Sequence, residues 1–342
     1  MVYKTLVFSG GGTRCLVLAE LLVLLERDGH LLETTKYYGT SAGALLAALY
    51  ALCRDAYRTK TILWALDFAS FRNVDVANLL NFMSTWALDD GIALQTSIDN
   101  LFEQACCGGS SLLLRDVPSL HICVADLTIR KTLILSADNY PTMRVATAVR
   151  VSMTLPIFIK PFISQEGHLW VDGGVRANFP WFCVHEALRA EALGLCFARN
   201  NFESPQNLGE YILSMIHFDE SKEEKVPYSD KNIICSAVPP FPAWFLRLRN
   251  SDYELIIRLA HAAYEDWKAR LIKTVPQDDS THPQENCGIP QPSALLHTSS
   301  PTCLLRYTAP PLDIPRVSPA PSRDSFPHLP PHKSQIVRRW SF

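Results

Sequence analysis

Apolar residues at the start of the chain come in short blocks separated by glycine-bearing turns. Leu6-Val7-Phe8 is a continuous apolar run just before Gly10, the pattern of a strand buried on both faces of a parallel sheet. Leu16 to Arg27 is rich in leucine and free of proline, which predicts a helix that ends near Asp28-Gly29. The pattern then repeats: Tyr37-Tyr38 closes a second strand, and Ala42 to Cys53 is a run of strong helix formers. Residues 5–53 therefore read as strand, helix, strand, helix. That is a right-handed crossover with both glycine-bearing turns at the carboxyl edge of the sheet, where neighbouring loops can build one site.

Later segments are less regular. Residues 54–115 carry many large apolar side chains, among them Trp64, Phe68, Leu80, Met83 and Trp86. The expectation is helices packed on the core, with a lid or interfacial segment as the alternative. The aromatic, proline-constrained loop 239–246 beside Arg247 and Arg249 suits either a lipid headgroup boundary or burial. Over residues 251–273, Leu255, Ile256, Leu259, Ala263 and Trp267 recur at helical spacing with charges between them, predicting an amphipathic helix opened by Ser251-Asp252 and docked on the domain. Beyond it the composition shifts, since thirteen of the 23 prolines fall in the last 69 residues, and helix and sheet are both discouraged. The expected organisation is one domain over 4–273 and a disordered, proline-rich tail over 274–342 whose protein partner is unknown.

Composition narrows the setting. A chain of 342 residues can bury a sizeable single core. Ten cysteines at irregular spacings show no disulfide framework and favour a reducing compartment. A net charge of −2 gives no case for a nucleic-acid partner and little help at anionic lipid. Residues 1–4 are too short for a signal peptide, and apolar runs such as 44–53 are far shorter than a membrane-spanning helix. The expected location is cytoplasmic, with peripheral contact at membranes or lipid droplets. No cofactor is expected, and for metals the sequence agrees, with no EF-hand loop, no H-E-x-x-H and no zinc spacing.

The candidate chemistry lies in three glycine-bearing turns. Gly39-Thr40-Ser41-Ala42-Gly43 has the form of a nucleophile elbow, in which small residues let a strand reverse into a helix and lift the serine hydroxyl towards a substrate. Gly10-Gly11-Gly12, on the neighbouring turn, can aim backbone N–H groups at an oxyanion beside that serine. A nucleotide-loop reading of the same glycines fails, because Thr13-Arg14-Cys15 leaves out the last glycine and Lys36-Tyr37-Tyr38 supplies no ribose-binding acid. A serine nucleophile needs a base. His121, His168, His185, His217 and His261 share no motif, whereas Trp170-Val171-Asp172-Gly173-Gly174 delivers a carboxylate from a strand end onto a close-approach turn. Alone, D-G-G is more often a hairpin turn. A carboxylate bonded directly to a shielded serine can nonetheless take its proton without an imidazole.

Together these residues resemble the patatin-like phospholipases. The likeness rests on G-G-G-x-R at Gly10 to Arg14, G-x-S-x-G at Gly39 to Gly43 and D-G-G at Asp172 to Gly174. Ala148-Val149-Arg150-Val151-Ser152 upstream of the aspartate and Asn178-Phe179-Pro180 after it also fit. The resemblance implies a three-layer α/β/α fold with a mainly parallel central sheet, and hydrolysis of fatty-acyl esters in phospholipid or another acyl lipid. It implies Ser41 as nucleophile and Asp172 as base, with Gly10, Gly11, Gly12 and Arg14 forming the oxyanion loop. Gly39, Gly43, Gly173 and Gly174 support the turns. Cys15 departs from the glycine common at that position and puts the loop's geometry in question, since a positive φ there would strain it. Two alternatives stay open: a short-acyl esterase or thioesterase using the same pair, and a non-catalytic lipid-binding or interaction protein that keeps the motifs.

Overall fold

In a computed structural model, which describes residues 1–71, 80–198, 231–241 and 247–273, the opening pattern folds as read. Strand β1 (Thr5–Phe8) and strand β2 (Lys36–Thr40) pair in parallel, and helix α1 (Leu16–Arg27) crosses between them. Helix α2 (Ala42–Cys53) leaves β2 directly and ends at Arg54, whose φ of 52° reverses the chain. Next come α3 (Ala56–Trp64), α4 (Phe82–Thr85), β3 (Ala87–Asp89) and α5 (Ile92–Ala105). They are followed by β4 (Leu120–Asp126), β5 (Lys131–Leu135), α6 (Val145–Ser152), β6 (Ile157–Ile159), β7 (Phe162–Ile163) and β8 (Leu169–Asp172). The remaining elements are β9 (Ala192–Phe197), β10 (Ile233–Ser236) and α7 (Asn250–Lys273).

The main sheet runs β10-β9-β1-β2-β4-β8-β7, with β5 also on β4. The first five strands of that order are parallel, while β5, β7 and β8 add antiparallel pairs at one side. Strand alternation sorts the side chains into two layers. Leu6, Phe8, Tyr37, Leu193 and Leu195 face the large core under the helices. Val7, Tyr38, Ala192 and Cys196 face a smaller cluster with Phe179, Trp181 and Val184. Among the described residues, that second face is covered by the 3-10 turns Pro180–Cys183 and Glu186–Glu191.

One edge of β4 carries two strands in succession. Thr40 of β2 pairs with Cys123, and the next residue, Val124, pairs with Asp172 of β8. β2 is parallel to β4 and β8 antiparallel, so their carboxyl ends meet head to head.

Helix α7 docks as expected. Ile256, Ala260, Ala263, Tyr264 and Trp267 fall on one face and are buried, each large side chain contributing about 1.5–3 kcal/mol. Tyr264 donates to Asp28 Oδ2 and the Trp267 indole to the Lys231 carbonyl, both at 2.7 Å. The helix starts one residue earlier than read, at Asn250, because the Asp252 carboxylate reaches back to the Arg249 N–H at 2.8 Å. The core-packing expectation holds for Phe68 but is corrected for residues 80–86: Leu80, Met83 and Trp86 are 81%, 84% and 59% exposed. The cause is local, since α4 is a single turn that buries none of its residues. In loop 239–246, Phe241 is buried, and 242–246 lie outside the described residues, as do His217 and the 274–342 tail.

Candidate active site

Ser41 sits between β2 and α2 at φ 54° and ψ −128°, a conformation that costs a residue with a side chain about 1–3 kcal/mol. Close backbone packing makes this turn possible. A Cβ at Gly43 would lie 2.4 Å from the Ser9 carbonyl oxygen and 2.8 Å from that of Phe8, and one at Gly39 would lie 2.4 Å from the Gly43 oxygen. These obstacles are main chain and cannot swing aside. Gly43→Ala is therefore expected to destabilise the protein by about 3 kcal/mol or more, measured by urea denaturation, although alanine is the better helix former.

The elbow is held from outside as well. The Ser41 N–H donates to Ser152 Oγ at 2.8 Å, and the Thr40 hydroxyl donates to the Ala177 carbonyl at 2.9 Å. The Ser41 hydroxyl donates to Asp172 Oδ2 at 2.7 Å. The other carboxylate oxygen, Oδ1, accepts the Gly174 N–H at 2.7 Å, and the Asp172 N–H donates to the Thr154 carbonyl at 2.8 Å. Asp172 is 6% exposed. Burial lifts its carboxyl from the ordinary 3.8 to about 6, and the hydrogen bonds from Ser41 and Gly174 offset only part of that rise. Among the described residues no histidine bonds to either: His121 stacks on Tyr38, and His168 pairs with Asp126.

The glycine loop lies alongside. A Cβ at Gly10 would approach the Ser41 Cβ to 3.3 Å, so this loop borders the serine. The Gly10 N–H is already given to the Asn178 carbonyl at 2.8 Å. The N–H groups of Gly11 and Gly12 have no acceptor among the described residues. Gly12 has a φ of 56°, which a glycine adopts without strain. Arg14 Nε donates to the Phe241 carbonyl at 2.8 Å, tying the loop to the segment after β10. Cys15 takes helical angles, φ −61° and ψ −11°, so the departure from glycine brings no strain there. Its thiol lies 3.6 Å from the Ser9 carbonyl, and burial, with the Asp172 charge adding to it, pushes the thiol well above its usual range. It packs and stays neutral.

Gly39, Gly43, Gly173 and Gly174 thus flank the Ser41–Asp172 pair. Ser152 and Asn178 were visible in the sequence as parts of matching segments, but nothing there signalled their hydrogen bonds. A buried serine at a helix end has no pattern of its own. Among the described residues, no group of three or more His, Cys, Asp or Glu side chains could hold a metal ion.

Fold and pair together define an α/β protein in which a serine on a strand-to-helix elbow faces a buried carboxylate. The chain belongs to the patatin-like phospholipase family, whose sequence profile matches residues 6–182. It is similar to the Bacillus subtilis (strain 168) protein YqhO, 28% identical over 224 residues that span 58% of this chain and 73% of that one. It is also similar to protein R571 of Acanthamoeba polyphaga mimivirus, 23% identical over 201 residues, 58% of this chain and 66% of the viral protein. Among solved structures, VipD from Legionella pneumophila shares the fold, with a TM-score of 0.52 and 16% identity over 78% of this chain and 67% of VipD. The fold is that of the patatins, and the family is one of lipase-type hydrolases.

Proposed function

We propose that the protein is a lipid acyl hydrolase of phospholipase A type, with Ser41 as nucleophile and Asp172 as its base. The observation that carries this reading is the 2.7 Å hydrogen bond from Ser41 Oγ to Asp172 Oδ2, with no histidine among the described residues bonded to either. Asp172 takes the serine proton as Oγ attacks the ester carbonyl. The Gly11 and Gly12 N–H groups, without acceptors among the described residues, receive the oxyanion, each good donor contributing about 3 kcal/mol. Gly10 holds the loop through Asn178, and Arg14 anchors it through Phe241. Asp172 then returns the proton to the leaving alcohol, and water attacks the acyl-serine to release the fatty acid.

The substrate would be membrane phospholipid or another acyl lipid, reached by the 4–273 domain at a membrane or lipid-droplet surface from the cytoplasm. Exposed Leu80, Met83 and Trp86 favour such surface contact. None of the described helices is long and apolar enough to cross a membrane.

Incubation with mixed-chain phosphatidylcholine vesicles in chelator, followed by identification of released fatty acids and lysolipids, tests the proposal. Release should occur with the wild type and be absent with Ser41→Ala. Its rate should climb about tenfold per pH unit up to a limb near pH 6 and then level off, because Asp172 accepts a proton only when ionised. Turnover confined to short soluble esters would point to the esterase reading. Absence of both turnover and fluorophosphonate labelling would point to the non-catalytic one.

A further inference from the structure

The end of α6 and the residues just beyond it touch the main chain of both members of the pair. The Ser152 hydroxyl accepts the Ser41 N–H at 2.8 Å and donates to the Cys123 carbonyl at 2.6 Å. Two residues on, the Thr154 carbonyl accepts the Asp172 N–H at 2.8 Å. Ser152 is 0% exposed, so no solvent competes for these bonds. Cys123 is also the residue paired with Thr40, immediately before the serine. One buried hydroxyl thus ties the backbone of the elbow to the strand that registers it.

We propose that Ser152 is a positioning residue for acyl transfer, its hydroxyl holding the Ser41 N–H and through it the left-handed backbone from which Oγ reaches Asp172. The inference rests on the reading of Ser41 as nucleophile and Asp172 as base. The direction of an N–H bond turns with φ, so fixing the Ser41 N–H fixes the φ of 54° that the elbow needs. Without that bond the serine can relax towards ordinary angles, and Oγ moves off the carboxylate. The same bond takes the Ser41 N–H out of the set of oxyanion donors. Packing alone does not require a hydroxyl here, because the same helix buries Ala146 and Ala148. An alanine at 152 would instead strand a buried N–H.

The test uses the purified full chain with Ser152→Ala and Ser152→Thr. Reactivity is measured as turnover of p-nitrophenyl butyrate and as the rate of fluorophosphonate labelling. Ser152→Ala is expected to lower kcat and the labelling rate by about 10- to 100-fold while KM stays within about twofold. Ser152→Thr, which keeps the hydroxyl, should recover most of the loss. A folded Ser152→Ala protein that labels at the wild-type rate overturns the positioning role alone. A wild-type protein that reacts with neither probe overturns the nucleophile reading and the positioning role together. Should Ser152→Ala fail to fold, amide exchange of the wild type decides: a strongly protected Ser41 N–H supports the bond, and exchange at the rate of an open amide overturns it.

Discussion

Replacing Ser41 with alanine is expected to end fluorophosphonate labelling and to lower ester hydrolysis by at least about 10⁴-fold, with the fold intact. The size follows from the role. Without Oγ there is no acyl-enzyme, and the glycine loop can at most assist direct attack by water. The fold should survive because the elbow depends on the main chain of Gly39 and Gly43 and on the Ser41 N–H, all of which alanine preserves. One secondary effect has a definite sign. The Ser41 hydroxyl bond holds the Asp172 carboxyl down, so its loss should raise that pKa further above about 6. Infrared titration of the Asp172 carboxyl in Ser41→Ala would register the shift. Residual labelling of the variant would move the nucleophile elsewhere in the chain.

Asp172→Asn should also abolish labelling, and it should change stability in a way that depends on pH. The folded-state pKa of about 6 lies above the ordinary 3.8. The folded protein therefore binds this proton more tightly than the unfolded chain does. The protonated carboxyl contributes stability that is fully present below about pH 4 and is lost as pH rises through 6. At neutral pH the ionised carboxylate costs on the order of 3 kcal/mol. Asparagine carries no such cost, keeps an oxygen for the Gly174 N–H and remains in hydrogen-bond reach of Ser41. Denaturation of both proteins should show matching stability near pH 4 and an advantage for Asp172→Asn that grows up to about pH 7. A constant difference across that range would mean that Asp172 is not buried as a charge.

The sequence exposed the parts of this site more readily than their arrangement. The crossover over residues 5–53 was legible because apolar blocks and glycine turns alternate there in strict order. Ser41 and Asp172 were legible for the same reason, each standing on a turn that only small neighbours permit. What joins them was not. The head-to-head meeting of β2 and β8 on β4 depends on strand order across 131 residues of separation, which no local pattern encodes. Nor could the glycine run say which of its N–H groups is committed: Gly10 differs from Gly11 and Gly12 through the distant Asn178 carbonyl. The exposed residues 80–86 misled for a related reason. Large apolar side chains read as core wherever they fall, and a one-turn helix such as α4 has no second face to bury.

Because the two strand ends abut on β4, the site is complete only when the sheet is. The serine arrives on a local strand-helix-strand unit that can form early from near neighbours, whereas the carboxylate needs contacts of high sequence separation, which close slowly. A chain stalled with β1 and β2 paired would hold Ser41 without Asp172 and without the Ser152 bond that fixes its turn. On the proposed mechanism, reactivity is thus withheld from partly folded chains, and Ser41 gains its base only once β8 pairs with β4.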